Sequence, residues 1–442
     1  KDDRLVGKID WNVADGQRFS LTGTYAKDEI NINSSNTFTT ASPTTGLSLA
    51  SNNYISGNRL WTVVGQLNSD WSSDFSTEVR GFYKDYERLA QPLLGRGFAQ
   101  FRVCVADQSD RTTNTASNAS TQCPANSSIV SIGPDNSRQT NELTSNTWGG
   151  LVQARYNHGA HDLRIFSEVQ STRIFNAFLQ NSAGNYYFDS LADFSARNAQ
   201  SLSYANAIPS LDPNQAAARF NYQQYTFGIQ DNWRVTDTFD LSYGARYDLY
   251  GGHTFPTFNS NFAARYGAGA VVNGEQTAIG VNNAYINGLG VFQPRVGFSW
   301  RPDPRLTLRG GVGIFAGGAP DVYVSNSFSN TGVLSNSVAI TQLNSGAFNG
   351  NQGTLPAGVG AAALQGVSGT SIPGAVNQYL LNGTVSANAT TNALDPNFKL
   401  PSQWRSTLSA DYRFDLPGGE LTFGADALFI GIRDQVYFTD LR

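Results

Sequence analysis

Seven charged side chains stand at alternate positions of aromatic-rich runs: Arg246, Asp248, Arg295, Arg309, Arg405, Asp411 and Arg413. In extended chain, residues two apart share a face. A guanidinium beside a carboxylate there holds either its neighbour or a polar ligand in charge-assisted hydrogen bonds. Other reactive groups are few. Of the three histidines, His158 and His161 flank the turn His158-Gly159-Ala160-His161, which reads as a solvated turn and not as a metal site. No Ser-His-Asp set, metal cluster or pair of catalytic carboxylates stands out, so no enzyme and no cofactor is expected. The glycine-rich run Gly310–Gly318 lacks the Gly-Lys-Ser/Thr ending of a phosphate loop. Cys104 and Cys123 fall in one long polar segment. An even pair closing a short loop predicts a disulfide and an oxidising compartment.

The elements that position these charges show in the alternation. In Tyr225–Tyr250 the odd positions hold Tyr225, Phe227, Ile229, Trp233 and Val235, then Phe239, Leu241, Tyr243, Tyr247 and Leu249. The even positions hold Gln230, Asn232, Arg234, Asp240, Arg246 and Asp248. Period two puts the two sets on opposite faces of a strand. About six such hairpins follow along the chain. Their arms are Leu5–Val13 with Phe19–Tyr25, Leu60–Asn68 with Phe75–Tyr86, and Trp148–Tyr156 with Leu163–Val169. Then come Tyr225–Tyr250, Phe292–Trp300 with Leu306–Phe315, and Trp404–Phe414 with Leu421–Ile430. Pro294 breaks the pattern from inside an arm and predicts a bulge near a rim.

Short turns join the arms within each hairpin. Between hairpins lie the long polar segments 27–59, 87–146, 173–222, 251–290 and 317–402. Short turns at one end and long loops at the other match a bacterial outer-membrane barrel. The expected fold is therefore all-β: an antiparallel up-and-down transmembrane β-barrel with short periplasmic turns and long extracellular loops. Its apolar face would meet outer-membrane lipid, and the seven charges above would face the lumen. A charge facing lipid at mid-membrane costs about 2–4 kcal/mol, which favours this assignment. Trp11, Trp233 and Trp300 lie near short turns, while Trp61, Trp148 and Trp404 lie where strands return from long loops. They read as two aromatic girdles. Tyr54, Tyr186, Tyr187, Phe188, Tyr204 and Tyr266 are loop aromatics that could stack on a ligand.

Composition agrees. Charged residues make up 14% of the chain, below the roughly 25–35% of a soluble surface. The net charge of −4 gives no reason to expect nucleic acid as a partner. No apolar run approaches the roughly 18 residues of a membrane helix.

Gln230-Asp231-Asn232-Trp233-Arg234-Val235-Thr236 followed by Leu241-Ser242-Tyr243-Gly244-Ala245-Arg246-Tyr247-Asp248 resembles the barrel hairpin of TonB-dependent outer-membrane receptors of the Oar-like branch. Phe292–Trp300, Leu308–Ala316 and Asp434–Leu441 resemble later segments of the same barrel. The resemblance covers residues 223 to 441; the first part fits by architecture alone. It implies a barrel of about 22 strands around a plug domain. It also implies a coupling box that meets TonB and an extracellular ligand such as a siderophore, peptide, glycan or small protein. Residues 1–442 would then be a barrel portion of a longer receptor, with the plug outside this chain. A surface adhesin or scaffold, a smaller closed pore pairing Leu5's strand with the last one, and a soluble all-β protein are the alternatives.

Overall fold

The computed structural model describes residues 1–33, 46–107, 123, 127–267, 271–272, 275–276, 280–319, 321–343, 346–384 and 389–441. The first hairpin pairs β1 (Asp2–Ala14) with β2 (Gln17–Ile32), and the short β3 (Gly46–Ser48) follows. The second pairs β4 (Tyr54–Asp70) with β5 (Phe75–Pro92), followed by β6 (Gln100–Cys104) and β7 (Ile129–Ile132). The third pairs β8 (Asn141–His158) with β9 (His161–Phe178). After it come β10 (Asn185–Phe188), helix α1 (Leu191–Ala196) and β11 (Ser201–Ala207). The fourth pairs β12 (Ala218–Thr236) with β13 (Phe239–Gly251), leading to α2 (Ser260–Tyr266), β14 (Val271–Val272) and β15 (Glu275–Gln276). The fifth pairs β16 (Gly290–Asp303) with β17 (Leu306–Ala316). Then follow α3 (Asp321–Ser329), β18 (Ser335–Gln342), β19 (Phe348–Gly350), α4 (Val359–Leu364) and α5 (Gly374–Asn382). The sixth pairs β20 (Ser402–Leu416) with β21 (Gly419–Asp434).

All six expected hairpins are present, and they join into one antiparallel sheet of twelve strands in chain order. Their turns need few residues. Asp15-Gly16 closes the first, with Gly16 at φ 68°, a backbone state that glycine adopts without strain. Among the described residues β1 pairs only with β2, and β21 only with β20. The sheet is an open wall, so these strands do not close the small pore considered as an alternative.

The strands run longer than the expected ten or so residues. The longest, β12, has 19, or about 60 Å at roughly 3.4 Å per residue. Tilted, it overreaches the roughly 25 Å apolar band of a barrel. The surplus is on the long-loop side, where the alternation changes parity: in Ala218–Gln224 the even positions Ala218, Phe220 and Tyr222 are apolar and buried, and the odd positions Arg219, Asn221 and Gln223 are polar.

Pro294 makes no bulge. It sits opposite Ala245 in unbroken register, and the ladder to β17 begins one residue later, at Arg295 opposite Gly313. A residue without an N–H is tolerated where one neighbouring ladder has not yet started.

The long segments hold the larger departure. Short strands from four of them meet in a second sheet, ordered β19-β18-β11-β10-β6-β7-β3. Two of its pairs are parallel, β10 with β6 and β3 with β7. Its core contains Tyr186, Phe188, Leu202, Ile340, Leu364 and Leu380, with helices α4 and α5 supplying the last two. Phe101, Phe188 and Phe194 meet edge to face there. The extramembrane end is thus a packed unit with its own core.

The wall's apolar face contributes no core of its own. Leu21, Val63, Val79, Val152, Ile165, Phe227, Val296 and Leu408 stay exposed. The buried clusters all lie at the long-loop end. A soluble all-β protein would bury this face. No helix among the described residues is long and apolar enough to cross a membrane.

Candidate functional site

Register puts the seven expected charges on one face of the wall, opposite Trp300 and Tyr243. Arg246 lies across from Gln293, Arg295 from Gly313, Arg309 from Ser299, Arg405 from Gly313, and Asp411 from Thr307. The structure brings three of them together. Asp248, only 5% exposed, accepts hydrogen bonds from Thr226 Oγ1 at 2.6 Å, Arg246 Nε at 2.9 Å and Gln293 Nε2 at 2.6 Å. Gln293 in turn accepts from Arg295 at 3.3 Å and from the Ala316 backbone N–H at 3.1 Å. A carboxylate taken out of water needs such donors, because burying a polar group without hydrogen bonds is costly. Alternation shows Arg246 and Asp248, but it does not single out Thr226 and Gln293, the two neutral members that complete the set.

The other four are peripheral to this network. Arg309 donates to Asp411 at 2.7 Å in an exposed pair. Arg413 stands 3.9 Å from Glu420. Arg405 lies over the Phe315 ring, 5.3 Å from its centre, with Arg295 over the same ring at 4.3 Å.

Toward the long loops the same face turns aromatic. Phe220 of β12 stacks on Phe328 of α3 at 4.7 Å, and Tyr285 meets both edge on. Tyr222 Oη donates to Asp321 Oδ2 at 3.2 Å at the start of α3. Burial pushes the Asp321 carboxyl above its ordinary range and the Tyr285 hydroxyl up as well. Helix α3 therefore covers part of this same face on the long-loop side of the Asp248 network. Beside it opens a cleft of about 910 Å³ between α2, α3, residues 389–399 and residues 433–441.

The loop aromatics expected to greet a ligand divide. Tyr186, Tyr187, Phe188 and Tyr204 are buried in the extramembrane unit, so they are core and not contact residues. Their strands β10 and β11 are interior to the second sheet, which periodicity could not reveal from runs this short. Tyr54 lies under Arg138, 4.4 Å from ring centre to guanidinium carbon. Tyr266 lines the cleft.

Cys104 and Cys123 form a disulfide with Cα atoms 5.5 Å apart, packed with Ile129 and Tyr187. Trp11, Trp61, Trp148, Trp300 and Trp404 are exposed. Trp233 is stacked by His161 at 5.4 Å. His161 is not a free turn residue: its Nδ1 stands 2.7 Å from Asp231. No group of three or more His, Cys, Asp or Glu is placed to hold a metal ion among the described residues.

The fold has counterparts among solved structures. The outer membrane transporter YddB from Escherichia coli is similar with a TM-score of 0.52 and 9% identity, over 94% of this chain and 38% of that one. The FrpB iron transporter from Neisseria meningitidis is similar with a TM-score of 0.45 and 11% identity, over 98% of this chain and 54% of that one. The chain thus spans between about two fifths and about half of these proteins. No curated protein matches it in sequence. Residues 1–415 match the family described as outer membrane beta barrel domain. A wall that shows its apolar side outward, gathers its charges on the other side and keeps short turns at one end belongs in the outer membrane, and by that match the chain belongs to the outer membrane beta barrel domain family.

Proposed function

We propose that this chain is the barrel portion of a TonB-dependent receptor of the Oar-like kind. It binds a ligand with its extracellular end and passes it inward by TonB-coupled active transport. The carrying observation is the Asp248 network on the inner face, with Thr226, Arg246, Gln293 and Arg295 around one buried carboxylate. A plug or a moving ligand exchanges hydrogen bonds with ordered polar groups of this kind, which supports the transporter reading. The likeness to the transporter YddB supports the fold on which this reading stands. The seven charges are then lumen-facing groups, and the six tryptophans are girdle anchors in lipid.

The test is energised uptake. Cells expressing the full-length protein are given candidate ligands with and without a protonophore, and with and without TonB. Uptake lost in both treatments supports active transport. Surface binding with no uptake in any condition overturns it in favour of an adhesin or scaffold barrel.

A further inference from the structure

The 910 Å³ cleft beside α3 shares no residue with the Asp248 network. Its size falls in the roughly 300–1,000 Å³ range of small-molecule sites. Three properties of its lining decide what it suits. The first is rings: Tyr266, Tyr323, Tyr437 and Phe438 line it. Tyr323 and Phe438 meet edge to face at 4.8 Å, and Tyr323, Tyr437 and Phe438 are exposed. The second is amides. Asn326, Asn392 and Asn397 line the cleft, and their side chains make no hydrogen bond among the described residues. The third is charge balance. The cations Arg265, Lys399 and Arg433 are matched by the carboxylates Asp395, Asp434 and Asp440, and Arg433 stands 3.5 Å from Asp434.

A strongly anionic ligand, such as a carboxylate-rich metal chelate, would want a net positive lining. A bare metal ion would want clustered His, Cys or carboxylates. A purely apolar ligand would leave the asparagine amides unpaired. A chain of neutral sugars meets all three properties. Its C–H faces pack on exposed rings, and each hydroxyl both donates and accepts. An asparagine amide also does both. We propose that this cleft binds a neutral oligosaccharide. The inference rests on the reading that the extracellular end captures the ligand, and it names that ligand's chemical class.

The full-length protein in detergent is titrated calorimetrically with neutral gluco-, xylo- and manno-oligosaccharides of increasing length, with uronate oligosaccharides and a mixed peptide library as controls. At least one neutral series should bind saturably, with affinity indifferent to salt. Asn392→Ala and Tyr323→Ala should each weaken it about tenfold, the loss of roughly one good contact. Tyr323→Phe keeps the ring and should retain most of the binding, which separates a lost contact from a misfolded loop. No binding by any neutral series, or binding that both alanine variants leave unchanged, overturns the assignment. Energised uptake tells the two readings apart. Transport of some other ligand, unaffected by the cleft variants, sinks the oligosaccharide proposal and keeps the transporter. Cleft-dependent sugar binding without energised uptake keeps the cleft and sinks the transporter.

Discussion

His161 Nδ1 stands 2.7 Å from Asp231 Oδ2 on the apolar, outward side of the wall. Asp231 occupies an odd position of β12, in line with Phe227, Ile229 and Trp233, where a bare carboxylate would face lipid. Tyr243 Oη donates to the same oxygen at 2.8 Å, and His161 also stacks on Trp233. The charge is masked from two sides near the short-turn end, where the membrane gives way to headgroups.

Removing one mask tests this. His161→Ala leaves the aspartate with Tyr243 alone, and the barrel should lose about 1–2 kcal/mol of stability in lipid. Asp231→Leu in the same protein should be close to neutral, since it removes the need for a mask. Thermal unfolding in liposomes reads both. Equal losses for the two variants would mean that the group is valued for its charge.

The Asp248 network and the Arg309–Asp411 pair offer a controlled contrast. Asp248→Ala orphans Thr226, Arg246 and Gln293, and should cost about 1–3 kcal/mol. Asp411→Ala breaks an exposed pair and should cost less than about 1 kcal/mol. Urea midpoints measured side by side decide it, with the network reading abandoned if the order is reversed.

Burial holds the Tyr186 hydroxyl back, raising its pKa from 10.0 to about 12. The unfolded chain therefore loses this proton first as pH climbs. Stability of the extramembrane unit is fully present below pH 10 and drains away between about 10 and 12. Tyr204 shifts the same way for the same reason. In Tyr186→Phe the alkaline slope should flatten, as followed by near-ultraviolet titration.

The disulfide closes a separation of 19 residues. A loop of that size contributes about 3 kcal/mol in the chain-entropy account. Cys104→Ser with Cys123→Ser should leave the wall's strand signal intact while backbone amides of β6, β7 and β10 exchange faster, since Ile129 and Tyr187 pack on the disulfide. Faster exchange throughout the wall strands instead would show that the loop staple supports the barrel itself.

Legibility followed the physics of each region. Lipid on one side and water on the other impose alternation, so the arms Tyr225–Val235 and Phe239–Leu249 could be paired from sequence. Further along β12, at Ala218–Gln224, the apolar set moves to the even positions Ala218, Phe220 and Tyr222, so a run that keeps one parity stops at Tyr225. Tyr186, Tyr187 and Phe188 read as exposed loop residues because β10 has four residues and one of its two partners, β6, comes from a distant segment. Asp231 escaped notice as one carboxylate in a long apolar row. The available clue was the pair of donors, His161 and Tyr243, whose positions follow once the register is known.

The second sheet joins strands from four separate loops. Surface loops on a barrel ordinarily drift one at a time, because each is anchored only at its own hairpin ends. Here a foreign loop carrying a new β10 and β11 would face an old β6 on one side and an old β18 on the other, and leave hydrogen bonds open at both edges. Diversification by recombination must therefore exchange the loops as a block. An antibody or phage that recognises this surface meets an epitope written in four distant stretches of the gene.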